Sequence, residues 1–548
     1  MKNKNYPLYK VDHVNNLKEL INHNAIKYGD KPAFTFELKN EVISISYRKF
    51  NSDVNALGTE FDFIGIKNAK IAVIGENSYE WILTYFAAVN SGNVIVPLDR
   101  ELPAESIRNL INDSGAEVFV YSETYSDIAE YLQKNDAMIK HYFNMKDFPE
   151  MINRGEMIIR SGELTVVDYK VDNHALAAIL YTSGTTGIAK GVMLSHKNLI
   201  SNVIAGCKAC FFTDVSLFVL PLHHSFAFTG GILIMLHSGC NIVINKSLKN
   251  VSEDLKKYKP SNTLLVPLFI ETFYKKVWDN AKKSGKAELL KKLIKISNAL
   301  LKIGIDIRGK LFKTVLTAFG GNIDVIITGG APIDFKYIKG FRNFGIKILN
   351  GYGITECSPV VSVNRNNYYR DGSIGQVFSS CKVKIINSDE NGHGEIYVMG
   401  DIVMLGYYNN EQATKEAFDG EWFKTGDIGY LDDDGFLFIT GRKKNIIILN
   451  NGKNVYPEEL EHVILNKIPY IKETVIYAED NIIIAEMFLD TENEPECASR
   501  LSSDISKVNQ ELPQYMTIGK TLIRDSEFPK TTTKKIKRQY KNGGNVNA

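Results

Sequence analysis

The sequence predicts an α/β protein with a large amino-terminal body built on parallel sheets, a β-rich, barrel-like section, and a small α+β domain at the carboxyl end. Before about residue 371, apolar runs typical of buried strands alternate with helical patterns, as in a doubly wound parallel sheet. Short strand-like stretches separated by Asn, Asp and Gly turns then follow to about residue 440. The last hundred or so residues mix both patterns, which is a suitable size for a separate domain.

The elements of the body are clearest between residues 70 and 122. In chain order the predicted elements are a strand at 70–74, a helix from Ser78, a strand at 93–96, a helix opening at Pro103 and a strand at 117–121. The first helix is predicted because apolar residues recur on one face, at Trp81, Tyr85 and Val89. The alternation returns as a strand, a helix and a strand at 324–328, 333–344 and 346–349. We therefore expect these pieces to belong to one large body.

The later elements are shorter. The β-rich section, about residues 371–440, contains strand-like stretches at 382–386 and 395–399. The elements predicted for the final domain are a helix at 457–465, strands near Val475 and at 482–489, and a helix at 498–510. The pattern places the boundary between body and final domain close to Arg442.

Composition excludes several classes of protein. The chain has 548 residues, of which 44% are hydrophobic and 23% charged, as in an ordinary soluble enzyme of roughly three or four folding units. Its net charge of +2 creates no global field that would recruit nucleic acid or an anionic membrane, although peripheral membrane contact stays open. No apolar segment follows the first lysines, which argues against a secretory signal and favours a cytoplasmic protein.

The most apolar stretch, residues 215–244, is interrupted by proline, histidines and glycines. No run in it approaches the ~18 residues of a membrane span, so it predicts core and pocket lining. Six cysteines are scattered along the chain. Cys207 and Cys210 form a CxxC pair without a second pair at zinc-ligand spacing, and we expect buried thiols there.

The most informative segment is Tyr-Thr-Ser-Gly-Thr-Thr-Gly-Ile-Ala-Lys-Gly at 181–191, directly after an apolar strand-like run. Glycines let backbone N–H groups turn towards a phosphate, hydroxyls add donors and Lys190 adds a positive charge. The segment is not a Walker loop, because Lys190 precedes Gly191 without a following Ser or Thr. The residues predicted to hold phosphates are Thr182, Ser183, Gly184, Thr185, Thr186, Gly187 and Lys190.

A second segment, Gly351-Tyr352-Gly353-Ile354-Thr355-Glu356, follows a short apolar run, where open α/β sheets bind ligands. A tyrosine between glycines can lie flat on a planar base. The carboxylate of Glu356, facing a triphosphate, is most simply explained as a magnesium ligand.

A third segment, Trp422-Phe-Lys-Thr-Gly-Asp427, precedes Gly441-Arg442. The Asp427 carboxylate can accept from both hydroxyls of a ribose, and Arg442 can reach the same sugar or the phosphates. The alternative for Asp427 is a turn-capping role.

Together, in this order, these segments resemble the signatures of the adenylate-forming superfamily, which comprises acyl-CoA synthetases, firefly-type luciferases and the adenylation domains of peptide synthetases. The resemblance implies Tyr352 against adenine, Glu356 on Mg²⁺ with Thr182 as a partner, and Gly329, Gly330 and Ala331 along the base. It also implies an adenylation domain at 1–441, a hinge at 442–445 centred on Lys444, and a mobile domain at 446–548. The family usually has proline where this chain has Ala189, and we expect altered nucleotide affinity from that difference.

The resemblance assigns two further residues of the final domain. Gly452 falls where the pantetheine arm of coenzyme A passes close to the backbone. The closing motif, normally Thr-Gly-Lys, reads Thr-Lys534-Lys535 here, and Lys535 is the candidate catalytic lysine, with Lys534 as the alternative. Without the upstream motifs this basic stretch would be interpreted as a solvated tail.

His223 and His224 are predicted not to share a zinc ion, because neighbours on a strand point to opposite sides. The family has an aromatic gate of the carboxylate pocket at this place, and His224 fits that role.

The resemblance is strongest to the long-chain fatty acid branch, and residues 225–236 could line an acyl tunnel. We therefore predict a ligase that uses ATP, Mg²⁺ and coenzyme A to activate a fatty acid as its acyl-adenylate and thioester. An acyl-carrier-protein ligase and a non-catalytic fatty-acid-binding protein remain alternatives. The sequence predicts no nucleic-acid partner and no transmembrane segment, and leaves the oligomeric state open.

Overall fold

The computed structural model describes residues 5–135, 138–182, 189–449, 454–479, 482–530 and 536–538. The chain divides into two compact units. The first comprises Met1–Val383 and Val398–Phe423, and the second comprises Lys384–Tyr397 and Lys424–Ala548.

The strands, in chain order, are β1 Pro32–Leu38, β2 Glu41–Ser46, β3 Lys70–Ile74, β4 Val94–Pro97, β5 Val118–Tyr121, β6 His141–Asn144, β7 Leu176–Thr182, β8 Lys190–Ser195, β9 Val215–Phe218, β10 Asn241–Ile244, β11 Asn262–Leu265, β12 Val325–Thr328, β13 Lys347–Gly353, β14 Val360–Val363, β15 Gln376–Val377, β16 Cys381–Ile386, β17 Gly394–Gly400, β18 Gly406–Tyr407, β19 Phe418–Asp419, β20 Trp422–Leu431, β21 Leu437–Arg442, β22 Ile447–Ile448, β23 Asn454–Val455, β24 Ile471–Glu479, β25 Ile482–Leu489 and β26 Ile518–Arg524.

The α-helices are α1 Leu17–Tyr28, α2 Tyr47–Phe63, α3 Tyr79–Asn90, α4 Ala104–Ser114, α5 Ser126–Lys134, α6 Phe148–Arg160, α7 Thr165–Asp168, α8 His196–Ala209, α9 Ser225–Phe228, α10 Ile234–His237, α11 Val251–Tyr258, α12 Pro267–Lys283, α13 Ala287–Lys302, α14 Arg308–Leu311, α15 Lys313–Ala318, α16 Phe335–Phe344, α17 Glu411–Ala417, α18 Pro457–Lys467 and α19 Cys497–Glu511. A π-helical turn, Thr229–Leu233, joins α9 to α10.

Two large sheets organise the first unit. One has the order β18-β8-β7-β4-β3-β5-β6, and the other has the order β15-β14-β13-β12-β11-β9-β10-β1-β2. The inner pairings β3–β4, β3–β5 and β5–β6 are parallel, as are β9–β10, β11–β12 and β12–β13. Antiparallel strands complete the edges, among them β8 beside β7 and β14 beside β13. The predicted body of parallel sheets is confirmed.

Helix α3 shows how local sequence places these elements. Its N-cap is Ser78, whose hydroxyl accepts from the N–H of Trp81 at 3.1 Å and satisfies one donor of the first turn. The helix is buried nearly all round, and the ring centroid of Tyr85 lies 3.9 Å from that of Phe228 at the end of α9. Aromatic packing therefore fixes α9 against the core of the first sheet.

The β-rich section forms a sheet with the order β16-β17-β20-β19, to which β21 adds by pairing with β20. The second unit holds the short ladder β22–β23 and a three-stranded sheet, β24-β25-β26. Residues of α18, α19 and this sheet share one apolar core, which includes Leu460, Ile464 and Leu501. The predicted β-rich section and α+β domain are both confirmed.

The beginning of the chain is held by partners far along the sequence. Strand β1 pairs in parallel with β10, with Phe34 opposite Ile242. The buried guanidinium of Arg365 donates to the Asn5 side chain at 2.9 Å and to the carbonyl oxygens of Tyr6 and Pro7 at 2.7 and 2.9 Å.

In the described ranges, no helix is both long enough and apolar enough to cross a membrane. None of the six cysteines forms a disulfide bond. Cys207 and Cys210 are buried, as predicted, and burial raises the pKa of each thiol to about 12.

Candidate active site

Glu356 lies just after β13, in a short helical turn, and is held from two sides. The Tyr407 hydroxyl donates to its Oε1 at 3.0 Å, and the backbone N–H of Met404 donates to its carbonyl oxygen at 2.8 Å. Burial raises the pKa of Tyr407, and the charge of Glu356 raises it further. The hydroxyl therefore remains a donor at neutral and mildly alkaline pH.

Lys190 reaches the same place from β8. In the register of the β7–β8 pair, Thr182 lies opposite Lys190, so these two predicted residues are neighbours. Strand β18 pairs with β8 from the other side, and the Lys190 Nζ lies 5.0 Å from the centre of the Tyr407 ring. The fold thus brings Lys190 and Glu356 to Tyr407, with Thr182 next to Lys190 on β7.

A glycine permits this close pairing. An ideal Cβ on Gly191 would lie 2.9 Å from the Ile179 side chain and 3.3 Å from the Tyr181 ring. Its carbonyl oxygen accepts from the N–H of Tyr408 at 2.7 Å. The glycine therefore lets β8 pack closely against the side chains of β7, and its backbone carbonyl links β8 to Tyr408, next to Tyr407.

Sequence reasoning missed Tyr407. It lies 51 positions from Glu356 and outside each recognised motif. The nearest local signal is Gly406, whose φ of +143° favours glycine at the start of the short strand. That signal marks a backbone requirement and does not identify the tyrosine as a partner of Glu356.

The glycine segments that were predicted to meet the nucleotide line an apolar cavity of about 600 Å³, including its open mouth. Gly329 and Gly330 follow β12, and Gly351, Tyr352 and Gly353 belong to the end of the neighbouring β13. A Cβ on Gly329 would lie 3.1 Å from the carbonyl oxygen of Gly351, and Gly330 has a φ of +81°. Both positions therefore favour glycine for geometric reasons.

The remaining wall of the cavity is made by apolar side chains and backbone of the first unit. These residues are Gly206, Cys210, Phe212, Phe226, Gly230, Ile234, Met235, Leu264, Ile327, Pro359, Val360, Val363 and Phe378. Four of them lie between residues 225 and 236, so the stretch predicted to line a pocket does so. Thr355 is tied to this wall, because its hydroxyl lies 3.1 Å from that of Ser225 at the start of α9. Ala331, the third predicted residue after β12, is half-buried.

His223 and His224 lie in the turn before α9, not on a strand, and their ring centroids are 4.1 Å apart. The expectation that the two side chains point to opposite sides was therefore wrong, because alternation applies to extended backbone only. The His223 Nε2 lies 3.3 Å from Asp99, yet burial, together with the neighbouring His224, lowers the pKa of His223 to about 3. Among the described residues no group of three or more His, Cys, Asp or Glu side chains could hold a metal ion.

Asp427 and Arg442 face each other in the second unit. Strands β20 and β21 pair them directly, and the Arg442 Nε lies 2.7 Å from the Asp427 Oδ1. The Asp427 side chain is 5% exposed and that of Arg442 is 42% exposed. The Asp427 N–H also donates to the Thr425 hydroxyl at 3.0 Å.

Lys444, the predicted hinge residue, lies in a helical turn after β21. Burial lowers its pKa, and the positive charges of Arg442 and Arg538 lower it further. Lys443 instead binds the Glu395 carboxylate at 2.7 Å, which raises the Lys443 pKa.

The described residues on either side of the predicted catalytic lysine are anchored. Lys530 forms an antiparallel bridge with Ile536, and the Lys537 N–H donates to the Pro529 carbonyl at 2.8 Å. Arg538 pairs with Glu461 of α18, whose pKa burial raises to about 7.

Seven predicted residues lie outside the described residues. They are Ser183, Gly184, Thr185, Thr186 and Gly187 of the phosphate segment, together with Gly452 and Lys535.

The class of protein follows from this fold and from the family comparison. Residues 21–408 match the AMP-binding enzyme family, and residues 444–542 match the AMP-binding enzyme C-terminal domain. The chain belongs to the AMP-binding enzyme family, the adenylate-forming class that its motifs predicted.

Among curated proteins, the chain is similar to long-chain-fatty-acid–CoA ligases. The ligase FadD15 of Mycobacterium bovis is 28% identical over 520 residues, covering 86% of this chain and 85% of the relative. The long-chain-fatty-acid–CoA ligase of Salmonella typhimurium is 27% identical over 498 residues, covering 83% of this chain and 81% of the relative. The ligase ACSBG1 of Rattus norvegicus is 28% identical over 486 residues, covering 82% and 67%.

Solved structures share the fold at lower identity. O-succinylbenzoate CoA synthetase of Bacillus subtilis, in complex with an acyl-adenylate intermediate, has a TM-score of 0.71 and 21% identity, covering 94% of this chain and 96% of its own. A fatty acyl CoA synthetase of Mycobacterium tuberculosis has a TM-score of 0.66 and 21% identity, covering 95% and 96%. The predicted fold class is confirmed by both.

Proposed function

We propose that this protein is a long-chain fatty acid–CoA ligase. It joins the carboxylate of a fatty acid to the α-phosphorus of ATP with release of pyrophosphate, and then transfers the acyl group to the thiol of coenzyme A with release of AMP. The observation that carries the proposal is the apolar cavity, whose wall includes the same glycines and Tyr352 that the motifs assign to the nucleotide.

The cavity supports an acyl substrate through its chemistry. Its lining combines aromatic and aliphatic residues, such as Phe212, Met235, Leu264 and Phe378, and no Asp, Glu, Lys or Arg of the described residues belongs to that lining. A chain of methylene groups gains free energy on leaving water for such a wall, whereas an amino-acid ammonium group would lack a charged partner.

The residues around Tyr407 fit the phosphate end of the reaction. Lys190 offers a positive charge to the phosphates of ATP, and the hydroxyl of Thr182 lies on the strand beside it. Glu356 is oriented by the Tyr407 hydroxyl at 3.0 Å. A carboxylate and a hydroxyl are oxygen ligands of the kind that Mg²⁺ prefers, so Glu356 and Thr182 fit that ion. When bound, Mg²⁺ would neutralise charge on the phosphates and on the departing pyrophosphate.

The motifs of the second unit complete the proposal. Asp427 and Arg442 would bind the ribose hydroxyls, and Lys535 would neutralise charge between the acyl carboxylate and the α-phosphate. We further propose that residues 446–548 move about Lys444 between the two half-reactions, and that Gly452 then lets the pantetheine arm of coenzyme A pass. His224 would gate the carboxylate end of the cavity. The acceleration would come from positioning and charge neutralisation, because the reaction needs no enzyme nucleophile.

The first experiment is an assay of pyrophosphate release from ATP and palmitate, with and without coenzyme A. We expect pyrophosphate release, and acyl-CoA formation when coenzyme A is present. If no fatty acid led to pyrophosphate release, the proposed ligase activity would be contradicted and a fatty-acid-binding protein would be favoured. Release without consumption of coenzyme A would favour the acyl-carrier-protein ligase.

The second experiment tests the cavity as the acyl site. A Cβ on Gly230 would make ordinary contacts with Leu264 at 3.4 and 3.6 Å and with Phe226 at 3.9 Å, and both of these residues line the cavity. We expect Gly230→Val to lower kcat/KM for palmitate at least about tenfold and to leave octanoate nearly unchanged, since each excluded methylene forfeits about 0.8 kcal/mol.

Gly309→Val is the matched control, because a Cβ on Gly309 meets nothing within 4 Å. Equal losses for both acids in Gly230→Val would contradict the assignment of the cavity to the acyl chain.

A further inference from the structure

A strongly basic surface lies outside the proposed active site. Residues 275–313, which run from α12 to the start of α15, contain eleven lysines and one arginine but only three acidic residues. The segment therefore has nine excess positive charges, while the whole chain has a net charge of +2. The remainder of the chain must then have seven excess negative charges, so the near-neutral total conceals a charged region.

All eleven lysines of this segment are exposed. In the part of the chain that the structure describes, its ion pairs are those of Lys291 with Glu288 at 2.7 Å and Arg308 with Asp306 at 2.6 Å. Ten of the twelve basic residues are thus left without a carboxylate within 4.0 Å among the described residues. A solvated helix in a mixed-charge surface would show more pairs of opposite sign.

Helix α13 adds an exposed apolar stripe to this charge. Leu289, Ile296 and the C-cap residue Ile303 follow each other at seven-residue spacing and are 52%, 53% and 71% exposed. Residues seven apart on a helix differ by only about 20° around its axis, so the three share one face. In the whole helix Ser297 is the one buried residue.

Lysines border the stripe on one side. Lys295 directly precedes Ile296, and Lys302 directly precedes Ile303, while Lys292 lies one turn after Leu289. Leu268 at the start of α12 and Ile305 after α13 are also large apolar side chains, 55% and 48% exposed. Folding leaves these apolar side chains in water, next to unpaired cations.

We propose that the surface formed by residues 275–313 binds the face of a lipid bilayer that contains anionic headgroups. Lysines attract anionic phospholipid, and an apolar stripe beside them enters the boundary between headgroups and acyl chains. The proposal does not depend on the ligase activity, and it explains why the surface combines charge with exposed leucine and isoleucine.

The stripe is the reason to prefer a bilayer to nucleic acid. Binding to a phosphate backbone is dominated by cations and needs no row of exposed aliphatic side chains. An anionic bilayer offers both the phosphates and the apolar layer beneath them. The two occupants are therefore separable by removing the charge and the stripe independently.

The test is flotation of the full chain with vesicles of phosphatidylcholine alone and of equimolar phosphatidylcholine and phosphatidylglycerol. We expect binding to the anionic vesicles only, weakened by salt. Lys292→Gln/Lys295→Gln/Lys302→Gln should lower the partition coefficient at least about tenfold, because each lysine near an anionic surface contributes roughly fivefold.

The matched control is Lys134→Gln/Lys415→Gln/Lys507→Gln, which removes the same charge from side chains that are 75%, 77% and 68% exposed elsewhere. It should bind like the wild type. Equal losses in both triple variants would show attraction by net charge alone and would overturn the proposal.

The stripe is tested by Ile296→Ser/Ile303→Ser. We expect this variant to lose several-fold in binding at high salt, where electrostatic attraction is screened. Its control, Ile26→Ser/Phe63→Ser, changes side chains that are 87% and 69% exposed elsewhere and should bind normally. Unchanged vesicle binding by Ile296→Ser/Ile303→Ser would overturn the proposal that this surface binds a bilayer. Competition by RNA that depends on the lysines alone would also overturn it, and would favour a nucleic-acid-binding surface.

The ligase assay without vesicles separates this proposal from the proposed function. All four variants should release pyrophosphate at the wild-type rate, since none alters a residue assigned to the reaction. Vesicle binding by a chain without ligase activity would leave the surface proposal standing, and activity without vesicle binding would overturn the surface proposal alone.

Discussion

Two carboxylates of the proposed site, Glu356 in the first unit and Asp427 in the second, are held in different ways. The hydrogen bond to the Glu356 carboxylate comes from the uncharged hydroxyl of Tyr407 at 3.0 Å. Asp427 is almost fully buried and pairs with the guanidinium of Arg442 at 2.7 Å. In the part of the chain that the structure describes, Glu356 forms no ion pair, whereas Asp427 already has a counter-charge in the protein.

The different partners of Glu356 and Asp427 suggest different roles for the two carboxylates. A carboxylate oriented by a neutral donor can face a cation, since its charge is not neutralised by the protein. A carboxylate that is neutralised by an arginine can accept hydrogen bonds from neutral hydroxyl groups without leaving a buried charge unpaired. We therefore expect changes at Glu356 to act through metal and phosphate, and changes at Asp427 to act through affinity for the nucleotide.

The largest effect is expected for Glu356→Gln. The amide keeps an acceptor for Tyr407 but loses the charge, and we expect pyrophosphate release to fall about a thousand-fold, because charge stabilisation of this kind contributes several kcal/mol. The measurement is pyrophosphate release as a function of Mg²⁺ concentration. Glu411→Gln, at a side chain that is 93% exposed, is the control. A loss of less than tenfold would mean that Glu356 is not the metal ligand.

The next effect is expected for Asp427→Asn. An amide accepts a ribose hydroxyl less strongly than a carboxylate does, and hydrogen bonds to charged groups contribute about 1.5–3 kcal/mol. We expect KM for ATP to rise about tenfold to a hundredfold, with a smaller change in kcat, measured by steady-state kinetics at saturating fatty acid. A fall in kcat at unchanged KM would remove the distinction between the two carboxylates.

A smaller effect is expected for Tyr407→Phe. The ring remains, so the contact with Lys190 persists, but Glu356 loses its donor. We expect kcat/KM to fall about tenfold, as for one hydrogen bond to a charged group. Because burial and Glu356 raise the pKa of Tyr407, the wild type should show no titration of this hydroxyl up to mildly alkaline pH.

Tyr408→Phe is the control for that change, because the ring of this neighbouring tyrosine contacts Lys70, whose Nζ lies 5.3 Å from the ring centre. Equal effects of the two substitutions would show that Tyr407 acts by packing and does not orient Glu356.

The smallest effect is expected for Ala189→Pro, directly before Lys190. Proline reduces the number of backbone conformations that the chain can adopt. Where the ordered backbone accepts proline, this lower conformational entropy typically stabilises the ordered state by about 0.4–1 kcal/mol. We expect KM for ATP to fall about two- to fivefold, measured under the same conditions as for Asp427→Asn. A higher KM would mean that the local backbone of this chain requires an alanine.

The two regions also differ in how far the sequence predicts them. Asp427 and Arg442 lie on one hairpin, so a local strand pairing brings them together, although a register shift between Ile428 and Gly429 sets their alignment. The residues around Glu356 instead come from three distant parts of the chain: β8, the turn that follows β13, and β18. These parts are separated by more than a hundred positions in total. Its motif residues are recognisable one by one, but Tyr407 becomes a partner only through the pairing of β18 with β8.

The secondary structure was likewise predicted correctly where the signals are local. Strand β3 and helix α3 match their predicted bounds closely, because apolar periodicity and the Ser78 cap are local signals. The turn at His223 and His224 was misjudged as extended, since an apolar stretch does not distinguish a strand from the turn before a short helix. The charged surface at 275–313 was obscured in the net charge, which averages over the chain.

The distant partners of the first residues have a consequence for biosynthesis. Strands β1 and β2 need β10, made about two hundred residues later, and the Asn5–Pro7 segment needs Arg365, about 360 residues later. At the usual 5–20 residues per second, Arg365 follows Asn5 out of the ribosome after roughly 20–70 seconds. Strand β10 follows β1 after roughly 10–40 seconds at the same rate. Until then β1 has an unpaired edge, which is the kind of surface that binds chaperones or aggregates. Production of this protein should therefore respond to translation speed and to chaperone supply more than its ordinary composition suggests.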